Sequence, residues 1–450
     1  MNDIDCYILA AGMGTRMNSN LPKVLHKICG TEMVNLVIKA VSKSGIISLT
    51  VVVPKQHEKH RESIGSSVKY RIQTNRKGTG HALLNAKPDA IDSNLTVVLN
   101  GDIPLISERT ITRIVERHKK GSNILTLATS NIDAPQGYGR ILRNSTGEIK
   151  AIVEHAQTKS KDLDSIKEIN AGVYCFDSHW IWNSLKTLEP APNGEYLLTD
   201  LVKLAYEEGK SVGAVTINSE EIKGVNDRVQ LSEVEQIVRN RIRKAVMLNG
   251  VTLTDPNSTY IDDNVIIDSD TIILPNTHIT ANSRIGSNCN IGPNTIIRES
   301  TIGKNCKITS TVVDKSLIHN NVSIGPFSHI REGCIIEDEV EIGNYTEIKN
   351  SRIGKRTKSG HFCYLGDADV GNNVNIGAGT VTCNYDGISK HITKIGSGSF
   401  IGSDTMLVAP IEIGERTITG AGSVVTKNVP PDSKAIGMPA RIKSGGRRKP

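Results

Sequence analysis

The residues of this 450-residue chain best suited to chemistry fall in two stretches. The first opens the chain. A short apolar run, Cys6-Tyr7-Ile8-Leu9-Ala10, breaks into Ala11-Gly12-Met13-Gly14-Thr15-Arg16-Met17, and Pro22-Lys23 follows. Small residues directly after a buried strand let backbone amides approach a phosphate chain, and Arg16 and Lys23 add the positive charge that phosphates need. A glycine-rich turn between strand and helix also serves packing alone, so the loop by itself leaves both readings open. A second apolar run, Leu95 to Leu99, ends in Asn100-Gly101-Asp102. Ligand chemistry collects at the carboxyl ends of buried parallel strands, and the hard oxygen of Asp102 suits Mg²⁺, with phosphates and water completing the shell. A plain Gly-Asp turn is the alternative.

The second stretch lies between Thr357 and Thr393 and contains His361, Tyr364, Asn375, Asn384 and Tyr385. A histidine there could act as a general base, although a lone histidine is more often structural. What singles the stretch out is its surroundings. An aliphatic residue recurs every sixth position at Ile285, Ile291 and Ile297, from Ile318 through Ile324, Ile330, Ile336 and Ile342 to Ile348, and at Ile395, Ile401, Leu407, Ile413 and Val425. The period lapses between Thr357 and Thr393, and function is expected where a regular array stops being regular.

That period predicts a parallel β-helix of hexapeptides, each unit giving one short strand and one corner, with its aliphatic side chain in a shared prism interior. The first half alternates apolar runs with amphipathic stretches such as Met33 to Val41, as in an α/β layer fold. From Asp227 the pattern becomes that of one amphipathic helix, stopped by Asn249-Gly250. The expected organisation is residues 1–226 as one domain, 227–250 as a helical linker and 251–450 as the β-helix with a basic tail. The tail, Arg447-Arg448-Lys449, is expected to be mobile.

A net charge of +7, scattered rather than striped with aromatics, fits anionic small molecules and gives no reason to expect nucleic acid. The eight cysteines form no CxxC pair and read as reduced thiols, not a disulfide framework or zinc ribbon. Asp3 and Asp5 stand where a secretory leader would carry basic residues, and no apolar run approaches the ~20 residues of a membrane span. These features predict a cytoplasmic protein.

The run from Leu9 to Met17 with Leu21-Pro22-Lys23-Val24-Leu25 resembles the signature of sugar-nucleotide pyrophosphorylases. Its spacing departs from the dinucleotide fingerprint, so NAD is not expected. Further elements follow in that family's order: Gln73 with Gly78-Thr79-Gly80-His81-Ala82, Asn100-Gly101-Asp102, Gly137-Tyr138-Gly139-Arg140, Ile152-Val153-Glu154-His155, Glu168-Ile169-Asn170-Ala171-Gly172 and Gly224-Val225-Asn226. The resemblance implies that Leu9, Ala10, Ala11, Gly12 and Lys23 hold the nucleotide, with Arg16 catalytic. It further implies that Gln73, Gly78 and Thr79 contact uracil and so select UTP, that Gly139, Glu154 and Asn170 hold the sugar, and that Asp102 and Asn226 bind Mg²⁺. Asn100 is a departure, since the best-known members carry tyrosine there.

Lys358 to Ala368, Asn373 to Gly379 and Thr382 to Gly387 closely resemble the acetyltransferase half of the bifunctional N-acetylglucosamine-1-phosphate uridyltransferase/glucosamine-1-phosphate acetyltransferase family, which extends the likeness over nearly the whole chain. It implies an N-terminal Rossmann-like nucleotidyltransferase domain joined by a helix to a left-handed parallel β-helix. It also implies His361 as the base, Arg331 and Lys349 on the sugar phosphate, and Tyr364 and Asn375 on the sugar. Ala378, Asn384, Tyr385, Ser403, Ala421 and Arg441 would hold acetyl-CoA, and three chains would associate side by side. Two rivals stay open on sequence: a nucleotidyltransferase whose β-helix only oligomerises, and a sensor that binds sugar nucleotides without turnover.

Overall fold

In the computed structural model of the protein, residues 3–154 and 165–444 are described. His155 and the tail from Gly445 lie outside them, so the expectations placed there are not addressed. The chain divides into two compact units, Met1–Val238 and Arg239–Pro450. The division falls inside a single helix, Arg228–Leu248. The helix expected as a separate linker therefore belongs in part to each unit.

The first unit is built on a nine-stranded sheet. Its main path runs Val212–Thr216, Leu125–Asn131, Glu168–Asp177, Leu95–Asn100, Ile4–Leu9, Ser48–Pro54 and Lys69–Gln73. Ile4–Leu9 pairs in parallel with Leu95–Asn100 on one side and Ser48–Pro54 on the other, whereas Glu168–Asp177 runs antiparallel to its neighbours. The continuous apolar runs follow from burial on both faces: Cys6, Ile8, Val97 and Leu99 sit in one core, and Tyr7, Val52 and Val98 in the other. The carboxyl ends of the three central parallel strands thus deliver Ala10, Pro54 and Gly101 to one edge.

The second unit is a left-handed β-helix. Three sheets of twelve, ten and nine strands, parallel but for the last strand of the first, form its walls, each strand two or three residues long over most of the length. The recurring aliphatic residues fill one continuous interior; Ile291, Ile297, Ile330, Ile348, Ile401 and Leu407 are all fully buried. Asparagines such as Asn276, Asn282 and Asn288 turn the corners with positive φ, a conformation that Asn tolerates better than other non-glycine residues.

The expected interruption between Thr357 and Thr393 is not a break in the coils. Lys358–Ser359 pairs with Asn375–Ile376, which pairs with Phe400–Ile401, in unbroken parallel register. The sequence period lapses because Ser359 and Thr382 take buried positions elsewhere given to aliphatics, and because segment 384–392 leaves the wall between Cys383 and Thr393. One loop is inserted, and the scaffold beneath it is regular.

Candidate functional sites

In the first unit a cavity of about 440 Å³ opens at the carboxyl ends of the strands. Leu9, Ala11, Gly12, Lys23, Gln73, Gly78, Thr79, Asn100 and Asp102 line it, so the expected nucleotide residues converge from four separate stretches. Ala10 is buried beneath the loop, its amide donating to Val52. The Gly101 amide donates to the Leu9 carbonyl at 2.9 Å, which docks the Asp102 turn against the start of the glycine-rich loop.

Charge concentrates at one point. Lys23 Nζ lies 2.5 Å from Asp102 Oδ2 and donates to Asn226 Oδ1 at 3.1 Å. Two oxygens from well-separated stretches of the unit's sequence therefore face one cation. That donor set, hard and incomplete, fits Mg²⁺ completed by substrate phosphates and water. The described residues contain no cluster of three or more His, Cys, Asp or Glu that would make a self-sufficient metal cage.

Gln73 donates to the Gly78 carbonyl at 3.1 Å, and the Leu198 amide donates to Thr79 Oγ1 at 3.1 Å. Gly78 has φ +92°, and a Cβ there would lie 2.5 Å from the Tyr196 carbonyl, so only glycine fits. Among the residues expected to hold the sugar, a Cβ at Gly139 would stand 3.3 Å from Glu154 Oε2, the Asn170 amide donates to the Gly139 carbonyl, and Asn170 Nδ2 donates to Tyr174 Oη at 2.6 Å. These three expected residues are neighbours. Burial raises the Glu154 pKa, with the nearby Thr199 acting against it. The amide of Asn100 lies over Gly172, where a Cβ would come within 2.7 Å.

Arg16 is exposed on the turn Thr15–Met17 and does not line this cavity. Three contributors escape the sequence reading. Arg76 sits within the Gln73 to Thr79 turn and lines the cavity, and a cation so close to the expected uracil contact is a local signal. Thr199 and Tyr196 are brought in only by tertiary packing, and nothing local marks them.

In the second unit a groove of about 1180 Å³ runs along the twelve-stranded wall. It gathers His361, Asn375, Ala378, Ser403 and Ala421. Asn375 comes from the wall strand Asn375–Ile376, and the others from corners beside it. Arg441 joins the same sheet through the final antiparallel strand, paired with Ile436, itself a groove residue.

The remaining expected residues lie around the corner. Lys349 is on Glu347–Lys349, Tyr364 on Tyr364–Gly366, and Arg331 directly follows His329–Ile330, all in the ten-stranded wall. Arg331 Nη1 pairs with Glu347 at 2.8 Å, and Asn384 Nδ2 donates to Asp367 at 2.5 Å. The neighbouring Lys390 ammonium pushes the Lys349 pKa below the ordinary lysine range. Lys390, another residue missed in the sequence, stands on the extruded loop opposite Tyr385. His361 lies on the corner between the two walls, so two clusters flank it on different faces.

A family of nucleotidyl transferases matches residues 6–221, the EIF2B subunit epsilon left-handed β-helix domain matches 244–348, and the six-repeat bacterial transferase hexapeptide matches 392–427. Among whole proteins, the bifunctional protein GlmU of Streptococcus thermophilus strain CNRZ 1066 is 42% identical over 98% of this chain and 96% of the relative. GlmU of Clostridium botulinum strain ATCC 19397 is 44% identical over the same shares, and that of Clostridium novyi strain NT 43% over 98% and 97%. With both sites present and near-complete coverage of each relative, this chain belongs to the family of the bifunctional protein GlmU.

Proposed function

We propose that each unit catalyses one of two consecutive steps toward UDP-N-acetylglucosamine, with residues 251–450 acetylating glucosamine 1-phosphate and residues 1–226 transferring UMP from UTP to the product. The observation that carries this reading is the pairing, in one chain, of the Lys23, Asp102 and Asn226 cluster with the His361 groove.

In acetyl transfer the sugar amine attacks the thioester carbonyl of acetyl-CoA. His361 takes the amine proton, the carbon–sulfur bond breaks, and the thiol of coenzyme A leaves. Arg331 and Lys349 hold the sugar phosphate, Tyr364 and Asn375 the sugar, and the Ala378, Ser403 and Ala421 side of the groove, with Asn384, Tyr385 and Arg441, the coenzyme. Because the two clusters occupy adjacent walls, a neighbouring chain closes the site in a homotrimer.

In uridylyl transfer a phosphate oxygen of N-acetylglucosamine 1-phosphate attacks the α-phosphorus of UTP and pyrophosphate leaves. The Leu9 to Gly12 loop, Arg16 and Lys23 bind and orient the phosphates, Gln73, Gly78 and Thr79 the uracil, Asn100 and Gly101 the sugar-nucleotide junction, and Gly139, Glu154 and Asn170 the sugar. Mg²⁺, held by Asp102 and Asn226, supplies charge neutralisation when bound.

No helix among the described residues is long and apolar enough to cross a membrane, and all eight cysteines are free; the enzyme we propose acts on small molecules in the cytoplasm. Assaying both half-reactions on one preparation tests the proposal. Thiol release from acetyl-CoA with glucosamine 1-phosphate, and pyrophosphate release from UTP with the acetylated sugar, are both expected. Absence of the first would leave an oligomerising β-helix; absence of the second would leave a binder without turnover.

A further inference from the structure

We infer that Arg76 binds the β- and γ-phosphates of UTP, and hence the departing pyrophosphate; the inference rests on the uridylyl-transfer reading above. A triphosphate brings several negative charges into a cavity where the obvious cations are committed or displaced. Lys23 is engaged by Asp102 and Asn226, at the point where the reacting phosphate must come. Arg16, which the reading above also gives to the phosphates, stands exposed outside the lining, so Arg76 is the further cation already within it.

Arg76 lines the cavity and makes no ion pair with any described residue. Its Nε donates to the Ala11 carbonyl at 3.1 Å. That bond seats the otherwise exposed guanidinium beside the glycine-rich loop. It also leaves both terminal nitrogens of the fork unused by any described acidic side chain. A planar fork anchored by Nε presents two donors in the geometry that phosphate oxygens accept. Arg76 also joins the base-selecting turn to the phosphate loop, so nucleotide binding would draw the two segments onto one ligand.

The reverse reaction separates this role from alternatives, because there pyrophosphate and the sugar nucleotide are independent substrates. Wild type, Arg76→Lys and Arg76→Met are compared for UTP formation from UDP-N-acetylglucosamine and pyrophosphate. The expected result is a KM for pyrophosphate raised about tenfold or more in Arg76→Met. Arg76→Lys should fall between it and wild type, and the KM for UDP-N-acetylglucosamine should stay unchanged. An unchanged pyrophosphate KM overturns the inference. A parallel rise in both KM values also overturns it, since that is what loss of a mere prop under Ala11 would give. Absence of UTP formation by wild type removes the uridylyl-transfer reading itself. Unaltered tryptophan fluorescence in both variants, reporting the fold around Trp180 and Trp182, excludes misfolding as the cause of a shift.

Discussion

Lys23 Nζ lies 2.5 Å from Asp102 Oδ2, and the same ammonium reaches Asn226 Oδ1. The lysine thereby occupies the point on which both oxygens converge, which is the point a divalent cation would claim with substrate bound. Replacing the carboxylate by its neutral isostere keeps the shape and removes the charge that recruits either cation. Asp102→Asn should lower uridylyl transfer by roughly a hundredfold or more, on the scale of losing one preorganised electrostatic contact. Acetyl transfer by the same sample should be unchanged. Comparable loss of both activities would mean that the substitution unfolds the chain.

Gly12 and Gly78 line one cavity but are glycine for different reasons. A Cβ at Gly12 meets nothing within 4 Å, whereas one at Gly78 would press on the Tyr196 carbonyl in a left-handed backbone. Gly78→Ala should therefore destabilise the unit by about 1–3 kcal/mol in urea melts and weaken UTP binding together. Gly12→Ala should leave the melt unaltered and raise the KM for UTP, because only a phosphate chain approaches that position. Equal melting shifts for the two would refute the distinction.

The fold was legible where periodicity was strict. Ile285 to Ile348 announce the prism because every inward position holds an aliphatic, and Cys6 to Ala10 announce a buried strand because both faces are covered. The lapse after Thr357 looks like a break for two reasons: Ser359 and Thr382 are buried like the isoleucines but polar, and segment 384–392 is inserted between two wall strands. The residues that line the first unit's cavity were legible because loop and strand-end chemistry is local. Thr199 beside Glu154, and the division of Tyr364 from Asn375 onto two walls, depend on tertiary placement that no local pattern encodes.

His60 and His118 are buried in the first unit, and burial lowers each pKa from 6.5 to about 4. Between those values the unfolded chain binds a proton at each position and the folded chain does not, so protons favour unfolding. The stabilising effect of keeping them neutral is complete above about pH 6.5 and lost as pH falls toward 4, at up to roughly 3 kcal/mol per histidine. Glu154 and Asp200, both raised by burial, oppose this lower in the window by taking up protons in the folded state. The chain's two tryptophans, Trp180 and Trp182, both lie on Ser178–Ser184 and so report this unit alone. Urea midpoints followed by tryptophan fluorescence should fall steeply from pH 7 to 5, and less steeply in His60→Leu. Identical slopes would show that His60 does not carry the linkage.

The separation of the acetyl-transfer residues across a corner predicts a dependence on concentration. His361, Asn375, Ser403 and Ala421 face the groove of the twelve-stranded wall, while Lys349 and Tyr364 stand on the ten-stranded wall. A substrate held by both sets in one chain would have to reach around the His361 corner. In the proposed trimer an adjacent prism would supply the opposing wall instead. Stepwise dilution should therefore abolish acetyl transfer over the range where sedimentation shows trimers giving way to single chains. Uridylyl transfer, whose residues all lie within Met1–Val238, should continue at constant specific activity. Mixing His361→Ala chains with Lys349→Ala chains sharpens the test, since a site shared between chains lets inactive partners restore one another. If single chains acetylate at full rate, or if the mixture regains nothing, the two walls of one prism must form the site alone.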